Sequence, residues 1–301
     1  MKNNTSKYFI FFFVITVFSF QLKPQKTASK LKEKHFVFFV SGRNNKEWYK
    51  KNLDSIFNQK YDNYHVIYVD AASSDGTGQL VKEYIKERGV EEKVTLIINE
   101  TRRYKMENQY HCIYELCNDS DIVIELDADD WLLGDQVLEY LNKVYSNPNI
   151  WLTYGMFKVY PSGELGIDDG FKRSGRVPRK IIRANKFREY DWLYTGAYTY
   201  YAGLFKLVKK EDLMYKGEDP GLRGNFLPII SDAAIIFPML EMCRNGHFKY
   251  IRIALCVLNR FERTGWNFYS KQEQEIWVES CQILQRMPKY EALDNLLWKI
   301  D

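Results

Sequence analysis

Residues 121–130 read Asp121-Ile-Val-Ile-Glu-Leu-Asp-Ala-Asp-Asp130, an apolar run that ends in a cluster of carboxylates. The apolar part is typical of a strand that is buried on both faces of a parallel sheet. Asp127 and Asp129 are two residues apart, so an extended backbone would point both side chains to the same side. The stretch therefore predicts a buried strand with an acidic site at its carboxyl end.

Three similar strands precede this one, and an amphipathic helix follows each. The strands are predicted at residues 35–40, 65–69 and 94–98, and the helices at Trp48 to Phe57 (within about 13 residues), Leu80 to Ile85, and 105–117. Alternation of strand and helix at about 30-residue intervals predicts an α/β, doubly wound, mainly parallel sheet with right-handed crossovers. The loops after the strands then gather at one edge, where such sheets bind ligands.

Polar side chains follow three of the strands at this edge. They are Ser41 and Arg43 after the first strand, Asp70 after the second and Asp127 after the fourth. Carboxylates are the hard oxygen ligands that suit Mg²⁺ or Mn²⁺, usually as one or two carboxylates plus substrate phosphates. An acidic triplet alone also describes a surface turn or a helix cap, but its position beside Asp70 favours a metal site. Asp130 is interpreted as the cap of the following helix, near residues 136–145.

The second half of the chain is less regular. Residues 161–228 contain glycines, prolines and short aromatic strings, and residues 277–300 are expected to form one or two closing helices. The segment 172–188 holds eight basic residues and no acidic one. It is compatible with a solvated loop, a phosphate-bearing acceptor or an anionic membrane surface.

Composition limits the functional classes. A net charge of +4 is too small to indicate nucleic acid, and five cysteines without a CxxC pair predict neither a zinc site nor a disulfide framework. Residues 8–22 are uncharged and mostly apolar, which fits a signal-peptide core or a thin membrane anchor. Five lysines follow, so an anchor would leave the main domain on the cytoplasmic side, and export after signal cleavage is the alternative.

Four motifs together resemble family-2 glycosyltransferases of the GT-A fold, in order and spacing, over residues 35–160. The motifs are Ser41-Gly-Arg-Asn-Asn45, Asn52-Leu-Asp-Ser-Ile-Phe-Asn-Gln59, Val69-Asp-Ala-Ala-Ser-Ser-Asp-Gly-Thr77 and Leu126-Asp-Ala-Asp-Asp-Trp-Leu132. The resemblance implies a UDP- or GDP-sugar donor, Mn²⁺ or Mg²⁺ on the Asp-x-Asp, and usually inversion at the anomeric carbon. It divides the chain into a leader (1–34), a nucleotide-sugar half (35–160) and an acceptor region with closing helices (161–301).

The resemblance also assigns roles to particular positions. Ser41 and Arg43 would lie beside the nucleoside, and Asp70 would line the base or ribose pocket. Asp127 would contact the ribose or the water shell of the metal, and Asp129 would ligate the metal directly.

The donor site has further candidate residues and one departure from the family. Many members carry a second acidic residue where this chain has Ala71, so the way in which the base is held stays open. Lys105 is a candidate donor-binding residue, with Arg103 and Asn108 as further candidates, although a plain helix start explains them nearly as well.

The general base of an inverting member is an acidic residue well beyond the metal motif. Asp232 is the candidate, because it begins an apolar helical run that would fix it in place. The same position also fits an N-cap, and the pairs 218–219 and 168–169 are rivals in glycine-rich loops. The aromatic string 192–205 is either an acceptor wall or a buried core strand.

The predicted function is metal-dependent glycosyl transfer to the hydroxyl of a saccharide, lipid or protein acceptor. A sugar-nucleotide pyrophosphorylase would want a longer, glycine-rich loop than residues 41–45, and a dinucleotide-dependent oxidoreductase would want GxGxxG there. A catalytically inactive, transferase-like binding module is the non-enzymatic alternative.

Overall fold

The computed structural model describes residues 31–261 and 270–298. Its first elements are β1 (Phe36–Gly42), α1 (Tyr49–Phe57), β2 (Tyr64–Asp70), α2 (Thr77–Arg88), β3 (Val94–Ile98), α3 (Lys105–Leu116) and β4 (Ile122–Asp127). This confirms the predicted order of strands and helices. α1 has nine residues rather than about 13, because residues 45–48 form a turn ahead of it.

The four strands are parallel, and β1 and β4 are buried along almost their whole length. Their order in the sheet is β3-β2-β1-β4. β2 and β3 are thus added on one side of β1, and β4 is added on its other side. The register places Ser41 opposite both Val69 and Asp127, and Gly42 opposite Asp70. The loops after β1, β2 and β4 therefore meet where the winding reverses, which is the usual ligand crevice of such a sheet.

The later elements complete the sheet and cover it. They are β5 (Trp131–Leu132), α4 (Val137–Tyr145), β6 (Leu152–Tyr160), β7 (Ile167–Asp168), β8 (Phe171–Lys172), α5 (Arg179–Arg183), β9 (Thr199–Tyr201), α6 (Ala202–Lys206), α7 (Ser231–Met242), β10 (Phe248–Asn259) and α8 (Lys271–Arg286), with short 3₁₀ turns at Glu91–Lys93, Phe187–Glu189 and Lys210–Asp212. Eight strands of the described chain form one sheet in the order β3-β2-β1-β4-β9-β6-β10-β5. Only β9 and β5 run against the others in this sheet.

The direction of β9 decides what stands over the crevice. Its three residues are buried and pair antiparallel with β4, so that Thr199 lies opposite Ile124. Residues 192–198, which precede β9, therefore lie at the carboxyl end of β4. The second half of the aromatic string 192–205 is core, as one of the two predictions has it. Its first half borders the crevice, and its role as an acceptor wall stays a prediction.

The predicted end of the chain is partly wrong. α8 begins at Lys271, because Ser270 and Glu273 form a capping box there, six residues before the predicted start. It ends at Arg286, two residues before Pro288, and the described residues 287–298 contain no helix. The division of the chain at residue 160 stays a prediction.

The predicted signal or anchor segment, residues 8–22, lies outside the described residues. In the part of the chain that the structure describes, no helix combines the length and the apolar character needed to cross a bilayer.

One basic residue of the segment 172–188 is buried in the core. Arg188 is buried, and its guanidinium binds both oxygens of the buried Glu241 carboxylate of α7, at 2.7 Å each. Arg188 also donates to the carbonyl of Leu284 at 2.8 Å, and the backbone N–H of Tyr290 donates to Glu241 Oε2 at 2.9 Å. The pair therefore joins the basic segment, α7 and the end of α8.

We expect Arg188→Met to lower the free energy of unfolding by about 3–5 kcal/mol, because it leaves the Glu241 carboxylate buried without a counter-charge. The double variant Arg188→Met/Glu241→Leu should recover much of this loss, since it removes both charges. Urea denaturation of the three proteins measures the effect. A double variant as unstable as the single one would show that the pair acts through packing and not through its charges.

Candidate active site

Helix α1 holds the acidic turn after β4 in place. The Asn52 side-chain amide donates to the backbone carbonyls of Asp127 and Asp130, at 3.0 and 2.8 Å. Ser55 and Gln59, three and seven residues further on, bind backbone groups later in the same segment. Asn52 and Ser55 lie on one face of α1, and Gln59 follows two residues after the helix ends. The motif that begins at Asn52 thus positions the carboxylates, a role that the sequence alone did not assign to it.

The acidic segment is a turn and not the extended strand that was predicted. The backbone N–H of Asp130 donates to the carbonyl of Asp127 at 3.0 Å, which closes the turn. The Asp127 side chain is 46% exposed, whereas Asp129 is 5% exposed as a residue. The extended strand had predicted that both carboxylates face the crevice. In the structure one is exposed and the other is buried.

Asp130 does not cap the following helix, so that prediction is wrong. α4 begins seven residues later, at Val137. The Asp130 Oδ1 atom instead accepts a hydrogen bond from the backbone N–H of Asn259, at the end of β10, at 2.8 Å. Burial and the neighbouring carboxylates raise the pKa of Asp130 well above its ordinary range. Asp130 therefore ties the acidic turn to the far side of the sheet.

A single ammonium group joins the predicted metal carboxylate to the predicted base. Lys105 Nζ lies 2.7 Å from Asp127 Oδ1 and 3.2 Å from Asp232 Oδ1. The Tyr198 hydroxyl donates to the same Asp232 oxygen at 2.9 Å. Burial alone would lower the pKa of Lys105, but the charges of Asp127 and Asp232 raise it well above its ordinary value.

These four residues line one cleft. Its described walls also include Glu125, Trp192, Tyr194 and Arg260. Asp232 is 43% exposed and lies in the first turn of α7, which begins at Ser231. The helix start is the support that was predicted for Asp232. Its N-cap residue is Ile230 and no side chain caps the helix, so Asp232 is not used as a cap.

A second polar layer lies beneath the first, and sequence reasoning missed it. Glu125 on β4 accepts hydrogen bonds from the Gln109 side-chain amide and the Tyr200 hydroxyl. Gln109 lies one helical turn after Lys105, and Glu125 and Tyr200 each lie two residues from their counterparts Asp127 and Tyr198. Burial raises the pKa of Glu125 to about 7, although Lys105 and Tyr200 act in the opposite direction. A charged residue inside an apolar strand was the signal that could have revealed this layer.

The loops after β1 and β2 form the other side of the crevice. Asp70 is 2% exposed and accepts hydrogen bonds from the backbone N–H and the hydroxyl of Ser73. The Arg43 side chain is exposed and donates to the carbonyl of Ala72 at 3.3 Å. Ser41 is buried, and its carbonyl accepts from the backbone N–H of Ala128 in the acidic turn at 3.3 Å.

Further bonds run between these two loops, and they tie the first βα loop to the second. The donors are backbone N–H groups of residues 44–46, and the acceptors are Ser73, Asp75 and Thr77. The structure thus gathers Ser41, Arg43, Asp70 and Asp127 at one edge of the sheet. Their roles toward a nucleotide stay predictions.

The remaining candidates fall elsewhere. Arg103 pairs with Glu107 on the helix surface, and the Asn108 side chain binds that of Asn99. Among the described residues that line the cleft, Lys105 is present and these two are not. Of the rivals to Asp232, Asp168 forms a bidentate ion pair with Arg260 at 2.8 and 2.9 Å, so its carboxylate is already engaged.

The carboxylates of the acidic turn suit a divalent cation by their chemistry. Within residues 31–261 and 270–298, no group of three or more His, Cys, Asp or Glu side chains forms a metal cluster. Two carboxylates are nevertheless enough for Mg²⁺ or Mn²⁺ when substrate phosphates supply the other ligands. Asp127, which lines the cleft, fits that requirement. Asp129 is buried and is not among the described residues that line the cleft, so its role as a metal ligand stays a prediction.

The family model for glycosyl transferase family 2 matches residues 39–209. Among solved structures, similarity extends to residues 1–349 of TarS from S. aureus, with a TM-score of 0.53 and 18% identity, covering 76% of this chain and 61% of that one. It also extends to the mannosyltransferase PcManGT from Pyrobaculum calidifontis in complex with GDP-Man and Mn²⁺, with a TM-score of 0.56 and 17% identity, covering 89% and 69%.

Identities this low establish the fold, which is GT-A, and the chain spans only about three fifths of the TarS fragment that it matches. A search of curated proteins gives no significant match. The family model, however, covers more than half of the sequence, including β4, the acidic turn and the aromatic string before β9. The chain therefore belongs to glycosyl transferase family 2.

Proposed function

We propose that the chain transfers a sugar from a UDP- or GDP-sugar to an acceptor hydroxyl, with inversion and with Mn²⁺ or Mg²⁺. The observation that carries the proposal is the Lys105 ammonium between Asp127 and Asp232, because it brings a carboxylate of the metal motif and a candidate base to one cleft. Structurally similar proteins were solved with UDP-GlcNAc and with GDP-Man and Mn²⁺, which supports a nucleotide-sugar donor.

In this proposal the donor lies across the crevice. Its nucleoside occupies the side formed by Ser41, Arg43 and Asp70, where the two loops are already tied together. Asp127 and Asp129 hold the cation, which when bound stabilises the negative charge of the departing diphosphate. Lys105 pairs with Asp127 in this structure. With donor and cation bound, its ammonium adds a second positive charge beside the diphosphate.

The acceptor lies on the other side, against residues 192–198. Trp192 is partly buried, and its indole N–H donates to the Thr195 hydroxyl at 2.7 Å, which fixes its ring at the cleft wall. A sugar ring can stack on such a face. Asp232 then removes the proton of the attacking hydroxyl, while Tyr198 and Lys105 hold the carboxylate in position.

The acceptor class and the location of the enzyme are part of the same proposal. The acceptor is a saccharide, a lipid or a protein that offers a hydroxyl group. The protein is associated with a membrane, with its catalytic domain on the cytoplasmic side, as the lysines after residues 8–22 favour. Export after signal cleavage is the alternative, and a topology assay with reporter fusions separates the two.

The test is donor turnover across a panel of UDP- and GDP-sugars, measured as release of the nucleoside diphosphate with Mn²⁺, with Mg²⁺ and with a chelator. We expect slow hydrolysis of one donor that requires the cation, and faster release when a matching acceptor is added. Saturable binding of a nucleotide sugar without any turnover would instead identify a binding module. Turnover of a nucleoside triphosphate with a sugar phosphate would indicate a pyrophosphorylase.

A further inference from the structure

The hairpin of β7 and β8 exposes large apolar side chains outside the cleft. Leu165, Ile167 and Phe171 are 57%, 37% and 63% exposed, within seven residues of the chain. Elsewhere in the described part of the sequence, most exposed large apolar residues occur singly along the chain. Such a local concentration of exposed apolar surface is typical of an interaction site.

The hairpin is held firmly, so this exposure belongs to a built element. Its strands are joined by a two-residue turn, Asp169-Gly170, with φ of +48° and +75°, as in tight β-hairpins. At its base, the backbone N–H of Gly166 donates to the carbonyl of Phe157 at 3.0 Å. Gly166 has a φ of +66°, a left-handed conformation that favours glycine there.

Basic side chains follow the apolar ones directly. Six of them lack any ion pair with a carboxylate of the described chain: Lys172, Arg173, Arg176, Arg179, Lys180 and Arg183. The Arg173 guanidinium lies over the exposed Phe171 ring, 5.0 Å from its centre. By contrast, Lys186 lies near Glu189, and Arg188 is buried against Glu241.

We propose that residues 165–183 form a membrane-contact surface for an anionic bilayer. Ile167 is opposite Lys172 and Phe171 is opposite Asp168, so these two apolar side chains lie on opposite faces of the hairpin. The hairpin enters the boundary between headgroups and acyl chains edge-on, with Leu165, Ile167 and Phe171, and the six basic side chains contact the lipid phosphates. Basic groups beside exposed aromatic and aliphatic side chains are the pattern of interfacial segments. A polyanion such as RNA would account for the charges but would give the three apolar side chains no favourable environment.

This surface is joined to the cleft. Asp168 of the hairpin binds Arg260, a residue of the cleft wall, through both carboxylate oxygens. Tyr194, also in the cleft wall, pairs through its backbone with Ser174 in the segment after β8. A chain seated on a bilayer by this hairpin therefore has its cleft close to the lipid headgroups.

The experiment uses the full chain with a fluorescent NBD label at one position. Ile167→Cys carries the label at the hairpin, and Leu297→Cys, in a residue that is 73% exposed, is the reference. Cys281→Ser removes the cysteine that is least buried among the five. Labelled proteins are titrated with phosphatidylcholine vesicles that contain either 30% or no phosphatidylglycerol.

We expect blue-shifted emission from the label at residue 167 with the anionic vesicles only, and no shift at residue 297. Replacing Arg176, Arg179 and Lys180 together by glutamine should raise the lipid concentration at half-maximal shift roughly 100-fold, since each basic residue contributes about fivefold. Phe171→Ser should also weaken the shift. Donor hydrolysis by the same proteins without vesicles reports on the transferase proposal separately.

Two results would overturn the proposal. One is unchanged emission at residue 167 with anionic vesicles, whether or not the protein binds them through residues 1–30. The other is an equal shift at residues 167 and 297, which would show that insertion is not specific to the hairpin. Saturable binding of RNA or heparin by the six basic residues, with no response to lipid, would reassign the surface to a polyanion.

Discussion

Transfer should fall by about 10²–10³-fold when Asp127 or Asp129 is replaced by asparagine. Asparagine keeps the size of the side chain and an oxygen acceptor, but it removes the negative charge that a divalent cation needs. The loss should therefore appear in kcat/KM for the donor and also as weaker Mn²⁺ binding in a direct titration. In the Asp127 variant, Asp232 is the carboxylate that stays within ion-pair distance of Lys105 among the described residues.

The matched control is Asp135→Asn, eight residues after Asp127 and six after Asp129. Asp135 forms an ion pair with Lys60 at the surface. Neither residue is among the described residues that line the cleft. This variant should keep normal activity and Mn²⁺ binding. Normal activity in both Asp127→Asn and Asp129→Asn would remove the metal from the proposed function, and loss in one variant alone would identify the sole essential carboxylate.

Asp232→Asn should lower the kcat of transfer by about 10²–10⁴-fold, while the affinities for donor and Mn²⁺ stay nearly normal. An amide cannot accept the proton of the acceptor hydroxyl at neutral pH. Its oxygen can still accept the hydrogen bonds from Tyr198 and Lys105, so the start of α7 should keep its position. Single-turnover measurements with bound donor separate the chemical step from binding.

The acidic pair 218–219 provides the control for this prediction, because it was the rival for the same role. The backbone N–H of Glu218 donates to the Glu279 carboxylate, and the Asp219 carboxylate accepts a hydrogen bond from the nearby backbone N–H of Gly221. Neither residue is among the described residues that line the cleft. Glu218→Gln and Asp219→Asn should therefore leave the chemical step unchanged. If Asp232→Asn lost donor binding as well, Asp232 would be a structural or donor-binding residue and not the base.

The sheet and its functional edge could be predicted because their signals are local. Each strand of the first half is a short apolar run, each is followed by polar turn residues, and parallel topology brings the strand ends together. This is why Ser41, Arg43, Asp70 and Asp127 could be placed at one edge. The four motifs then added the family, since their order and spacing are specific.

What could not be predicted depends on contacts between distant residues. Asp130 was read as a helix cap because capping is the local use of an aspartate after a strand. Its actual partner, the backbone of Asn259, is 129 residues away. The turn at Asp127 is imposed by Asn52 on α1, which again no local pattern reveals. The buried position of Arg188 was likewise hidden in a segment where the other seven basic side chains are not buried.

The ion pair between Arg188 and Glu241 has a mechanical consequence. α7 spans about 14 Å between Asp232 and Glu241, with the proposed base at one end and the ion pair near the other. Arg188 terminates the same basic segment whose earlier residues face outward. The pair therefore anchors the end of α7 that is opposite to Asp232, so the helix that carries the proposed base is held at its far end by Arg188 and by the segment after α8.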